Sequence, residues 1–210
     1  MPKHGDSFDA TWRQRTVIAP APLAIAKPFL MRHYLRKRPG VVVLTLVVYI
    51  DGWAKGMVMF SLPPTQTNKR YGGTCWELAR LFLDDELPKN AESFVIAWAI
   101  RYIRRNHPGV LCLVSYADPA HGHTGRIYRA SNWVEDGKTD AGRKTARVDY
   151  QDVYGRHYSR RSHIPDGVDW FTVPRVSKHR FVYWLCRSRR MDGANPSPLQ
   201  LLHASKEVAA

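Results

Sequence analysis

Ser115, Asp118, His121, His123, Thr124 and Tyr128 lie in the single stretch SYADPAHGHTGRIY. Hydroxyls, a carboxylate, imidazoles and a phenol brought together in this way can relay protons, hold a metal or activate a nucleophile. The D-x-x-H-x-H spacing of Asp118, His121 and His123 offers carboxylate and imidazole ligands of the kind that suit iron or manganese. His33, far upstream, is a further candidate ligand. Asp118 or His123 equally suits the task of accepting a proton from an amine. Ser115 with His123 and Asp118 also has the residue types of a hydrolase triad, but no G-x-S-x-G elbow surrounds the serine. The plain alternative for each of these groups is a polar loop with satisfied side chains.

A second set of polar residues precedes this stretch. Arg80 stands in the middle of the apolar run LARLFL, where a charge must be paired or face a cleft. Asp118 is its expected partner. Asp84, Asn90 and Ser93 follow in a polar loop, and Asn90 is placed to accept a bond from a free backbone amide at the start of the next helix.

The elements that must position these residues read as an alternation. A helix is expected over 23–38, closed by Pro39-Gly40, and the β-branched run 41–50 reads as a strand buried on both faces. Asp51-Gly52 signals a hairpin into a partner strand at 56–63. Residues 63–73 read as a long loop. A strand over 77–85, an amphipathic helix of about four turns carrying Phe94, Trp98 and Tyr102, and an apolar strand over 110–118 complete the central part. Two polar loops, 84–93 and 115–125, therefore fall at the ends of adjacent strands, where open α/β sheets bind ligands. Residues 135–145 read as a polar turn region and 146–155 as a further strand pair. The expected organisation is a polar extension (1–20), one catalytic domain (21–190) with a basic, aromatic carboxyl-terminal part (156–190), and a loosely held tail (191–210).

The chain has 210 residues, enough for one sizeable core, and carries a formal charge of +14 with a pI near 10.0. That balance points to a polyanionic partner, with double-stranded DNA the leading candidate. Arg160, Arg161, Lys178 and Arg180, interleaved with aromatic residues, are the expected phosphate contacts. Cys75, Cys112 and Cys186 form no C-x-x-C pair, so neither a zinc knuckle nor a disulfide framework is indicated. The longest apolar run has ten residues, below the ~18 needed to span a bilayer. Nothing resembles a signal peptide, and the bacterial cytoplasm is the expected setting. A homodimer is compatible with the sequence.

The words ELARLFLDD, AES, SYADPAHGHTGRIYRASNW and SKHRFVYWL resemble the Mom family of phage DNA-modifying proteins over roughly residues 23–185. The resemblance implies an α/β fold of the N-acetyltransferase (GNAT) type, with a mixed central sheet flanked by helices. It implies conversion of adenine in DNA to an N6-carbamoylmethyl derivative that protects phage DNA from restriction. It also implies a site with Ser115, Asp118, His123, Thr124 and Tyr128 on one wall and Arg80, Asp84, Asn90 and Ser93 on the donor side. Tyr128 would protonate or hydrogen-bond the leaving atom, as a tyrosine often does in that fold. The cofactors called for are acetyl-CoA or another acyl donor, and a divalent metal such as iron. One departure stands out: LPKNAES has no glycine where N-acetyltransferases cradle the CoA pyrophosphate. The competing readings are an acetyltransferase for a small-molecule or protein amine and a non-catalytic DNA-binding protein.

Overall fold

The computed structural model describes residues 10–145, 147–158 and 164–185. Its centre is a seven-stranded sheet in the order β1-β2-β3-β4-β5-β10-β6. These strands are β1 (Thr16–Pro20), β2 (Val42–Ile50), β3 (Trp53–Ser61), β4 (Cys75–Leu83), β5 (Cys112–Ala117), β6 (Val134–Lys138) and β10 (His179–Trp184). All neighbours are antiparallel except β4 and β5, which are parallel and joined by helix α3 (Ala91–Asn106).

The run at β2 lacks alternation because both of its faces are covered. Val47 packs with Met57 and Met59 under Ala26, Phe29 and Leu30 of helix α1 (Leu23–Arg32). Leu46 and Val48 point the other way, into the cluster formed with Val95, Ile96, Ala99 and Ile103 of α3. The buried stripe of α3 is thus Val95, Ile96, Ala99, Ile100 and Ile103. Phe94, Trp98 and Tyr102, which the sequence pattern put at the centre of the apolar face, lie at its half-buried margin, with Trp98 and Tyr102 stacked at 5.3 Å.

Several elements differ from the sequence reading, each for a local reason. Helix α1 stops at Arg32 because His33 adopts extended backbone angles and its Nδ1 accepts the Leu35 amide at 3.1 Å, a local bond that competes with the helix. The stretch read as a long loop contains helix α2 (Thr65–Arg70), which begins after Pro64. Residues 135–138, read as part of a turn region, belong to the edge strand β6, whose backbone pairs with β10 while Asp136 accepts from Tyr71 and Arg180. Residues set apart as an extension contribute a 3-10 turn (Ala10–Arg13) and β1; Trp12 is buried against Ala91 and Phe94 of α3. Between β6 and β10 a separate sheet, β8-β7-β9, is formed by β7 (Val148–Asp152), β8 (His157–Tyr158) and β9 (Trp170–Pro174).

Candidate active site

Strands β4 and β5 pair only at Cys75 with Cys112, Trp76 with Leu113 and Glu77 with Val114. Beyond Glu77 they separate, and the split opens a cavity of about 430 Å³. Leu78 to Leu81 line one side and Ser115 to Ala117 the other. His33 and Tyr34 contribute from the end of α1, Gly122 to Tyr128 from the loop after β5, and Lys178 from the entry to β10.

At the apex of the split, three groups form a chain. Ser115 Oγ donates to the Leu78 carbonyl at 2.8 Å and lies 2.7 Å from the Tyr128 hydroxyl. A serine hydroxyl has one proton and a carbonyl only accepts, so Tyr128 is the donor to Ser115. Tyr128 lies in helix α4 (Arg126–Ala130), its ring packed against Trp133 at 5.3 Å and Phe181 at 5.2 Å. Burial pushes its pKa up to about 12, so the phenol stays protonated. Gly125 lets this helix begin: its φ is +80°, and a Cβ there would meet the Phe181 ring at 2.2 Å.

The loop after β5 folds around Asp118. Its Oδ1 accepts the Ala120 amide at 3.1 Å, and its carbonyl accepts the amides of His121 and His123. Its other carboxylate oxygen holds Lys178 Nζ at 2.7 Å. Asp118 is buried yet does not line the cavity; Lys178 does. Arg80 does not pair with Asp118. Its Nε and Nη2 donate to the Lys37 carbonyl, and Nη1 donates to the Ala79 carbonyl. Main-chain carbonyls thereby satisfy the charge while its side chain faces the cavity.

Glu77 was missed by the sequence reading. It sits at the last paired position before the strands separate and lines the cavity beside Arg80 and Lys178. Burial raises its pKa to about 7, against the opposing pull of Arg80 and Lys178. An isolated glutamate in an otherwise apolar strand start carried the same signal as Arg80, three residues on and on the neighbouring part of the strand.

The donor-side residues fare differently. Asp84 forms a 2.5 Å ion pair with Arg32, Glu86 a 3.1 Å pair with Lys55, and neither Asp84, Asn90 nor Ser93 lines the cavity. Asn90 occupies the N-cap position in the left-handed region at φ 72°, without a side-chain capping bond. The loop before α3 has no glycine to let backbone amides approach a pyrophosphate, Glu92 lies in the first turn of the helix, and Trp12 packs on Ala91. Thr124 and His123 are exposed at the cavity rim. Of the expected phosphate contacts, Lys178 is held by Asp118, and Arg180 by Asp136 at 3.2 Å. Arg160 and Arg161 lie outside the described residues.

A metal fits no better. Among the described residues no group of three or more His, Cys, Asp or Glu side chains converges in a ligating arrangement. Asp118 is engaged with Lys178, and His33 Nδ1 with the Leu35 amide. Burial lowers the His33 pKa to about 4, helped by Arg80 and His123, so the ring is neutral near pH 7. His33, His121 and His123 instead pack around Tyr34 at 4.5, 4.7 and 4.9 Å.

Parallel strands that part over a cavity, with a crossover helix between them and a tyrosine at the apex, define an N-acetyltransferase-type fold. Solved structures agree. The chain is similar to a ribosomal-protein-S5-alanine acetyltransferase from Vibrio fischeri (TM-score 0.51, 12% identity, 87% of this chain and 96% of that one). It is also similar to a Bacillus subtilis acetyltransferase solved with CoA (TM-score 0.50, 12% identity, 82% and 99%). The chain belongs to the Mom protein family, whose model matches residues 15–200. It is 42% identical over 57 residues to the methylcarbamoylase Mom of Escherichia phage Mu, a match spanning 27% of this chain and 24% of that protein. No helix among the described residues is long and apolar enough to cross a membrane.

Proposed function

We propose that this protein is a phage DNA-modification transferase that converts adenine in DNA to its N6-carbamoylmethyl derivative. Family membership and the phage Mu relative support the reaction class. The observation that carries the reading is the Tyr128–Ser115–Leu78 hydrogen-bond chain facing one cavity with Glu77.

The amine of adenine is paired inside a duplex and is a poor nucleophile, so the base must be extruded to reach a buried apex. The amine nitrogen then forms a bond to the carbon of the transferred group, whose bond to its leaving atom breaks. Glu77 accepts the proton released by the amine, a role its pKa near 7 suits. Tyr128, neutral and already a donor, supplies a proton to the leaving atom by turning its hydroxyl from Ser115. Asp118 acts by holding Lys178, which lines the cavity and whose charge favours the carboxylate form of Glu77. His123 and Thr124 form the rim through which the base enters, and Arg80 lines the opposite strand. No step depends on CoA phosphates or on a metal.

Mass spectrometry of nucleosides from cells expressing the protein tests this. Modified deoxyadenosine, with DNA resistant to adenine-reading restriction enzymes, is the expected result; unmodified nucleosides from a culture containing folded protein overturn it.

A further inference from the structure

The chain leaves β6 at Lys138 and returns at His179, and what lies between stands apart from the main sheet. The two stems are tied together: the Thr139 amide donates to the Lys178 carbonyl at 2.8 Å, and the Lys178 amide to Thr139 Oγ1 at 2.9 Å. Lys178 also lines the cavity, so this arm springs from the cavity wall.

The register gives the arm a direction. Val148 pairs with Pro174 near the stem and Asp152 with Trp170 at the far end, about 13 Å away at 3.3 Å per residue. Arg143 and Arg147, paired with Asp140, and Arg175, paired with Asp149, lie at the stem. Among the described residues the far end exposes large apolar side chains: Tyr154 is 77% exposed, Val153 61%, Trp170 51% and Phe171 49%. Among the described residues Trp170 touches another ring only at Tyr150, edge-on at 4.7 Å. Trp170 and Phe171 are consecutive in a strand and project from opposite faces, giving a tip that is apolar on two sides.

Exposed rings on the end of a basic stem suit one partner above others. Residues 138–178 carry nine Lys and Arg against five Asp, which complements a phosphate backbone. Apolar side chains at the tip can enter the gap between base steps, where proteins that distort DNA place such wedges. We propose that the arm is a DNA wedge: its stem lies along the phosphates, and Trp170, Phe171 and Tyr154 hold the duplex open beside the base extruded into the cavity. This rests on the reading of DNA as substrate.

The test uses the full-length protein and a duplex carrying 2-aminopurine, whose fluorescence rises when it is unstacked. Wild-type protein should raise that signal. Trp170→Ala/Phe171→Ala should reduce the rise and the duplex affinity at least tenfold while leaving the salt dependence of binding unchanged. Tyr154→Ala, at an exposed turn, should act in the same direction and guards against misfolding of the double variant. Arg143→Ala/Arg147→Ala should make the salt dependence shallower, by a slope of about 0.9 per lost contact. Ring variants that unstack the probe and bind DNA like wild type overturn the wedge. So does a wild-type dimer that the ring variants convert to monomers with DNA affinity unchanged, because the tip is then a contact between copies. The binding readouts do not depend on modification: protein that unstacks the probe through these rings yet modifies nothing keeps the wedge and overturns the proposed reaction.

Discussion

The loops after β4 and after β5 are similarly rich in polar side chains, yet they spend them in opposite ways. After β5, the backbone folds around Asp118, Gly125 sets a left-handed turn, and Tyr128 is driven into the core beside Trp133 and Phe181. His123, Thr124 and Tyr128 line a cavity. After β4, Asp84 and Glu86 reach outward to Arg32 and Lys55, and Asn90 stands exposed in a left-handed turn. The difference lies beneath the loops: strand separation beyond Glu77 creates a lined space on one side only. Polar density makes a site where the sheet opens and an ordinary charged surface where it does not.

The contrast predicts its largest effect at Tyr128. Tyr128→Phe keeps the ring packing and removes the donor, so modification should fall on the order of 10²-fold or more, read as modified deoxyadenosine per unit time. A rate near wild type would move the chemistry out of the cavity. Gly125→Ala should cost stability, about 1–3 kcal/mol, because the new Cβ needs the Phe181 ring to move while φ is positive; thermal melting reads it.

Glu77→Gln acts through pH. A carboxyl raised from 4.5 to about 7 on folding favours the protonated native state. Its stabilising contribution is present below the unfolded pKa and is lost as pH rises through about 7. Glu77→Gln should therefore flatten the fall in stability between about pH 4.5 and 7, and should abolish the rise in modification rate near pH 7 that proton acceptance by Glu77 requires. The smallest effects belong to the other loop. Asp84→Ala, Asn90→Ala and Ser93→Ala should each leave modification within about threefold; Asp84→Ala alone removes an ion pair, with Arg32, and should cost about 1 kcal/mol.

The sequence made the alternation of strands and helices legible because apolar runs of the right length recur between strong breakers. Asp51-Gly52 marks the turn between β2 and β3, whereas Pro39-Gly40 stands before β2 and not at the end of α1, which stops at Arg32. Ser115, His123, Thr124, Tyr128 and Arg80, expected at the site, line the cavity, and so do His33, expected as a metal ligand, and Lys178, expected on DNA phosphates. What it hid depends on contacts distant in sequence. The pairing of Asp118 with Lys178 spans the inserted arm, and the engagement of Arg80 by the Lys37 carbonyl depends on where α1 stops. Glu77 went unnoticed because its chemistry comes from position: one residue further along β4 the pairing with β5 is gone. The edge strand β6 was invisible because a polar strand paired on one side has the composition of a turn.

The proposed chemistry occurs in the split between β4 and β5 and not at the start of α3. Nucleoside mass spectrometry on DNA from parallel cultures expressing wild type, Tyr128→Phe and Asp84→Ala tests it most directly. Modified deoxyadenosine in the first and third cultures, and its loss in the second, is the predicted result. Loss with Asp84→Ala and retention with Tyr128→Phe, in proteins that melt like wild type, would contradict the account.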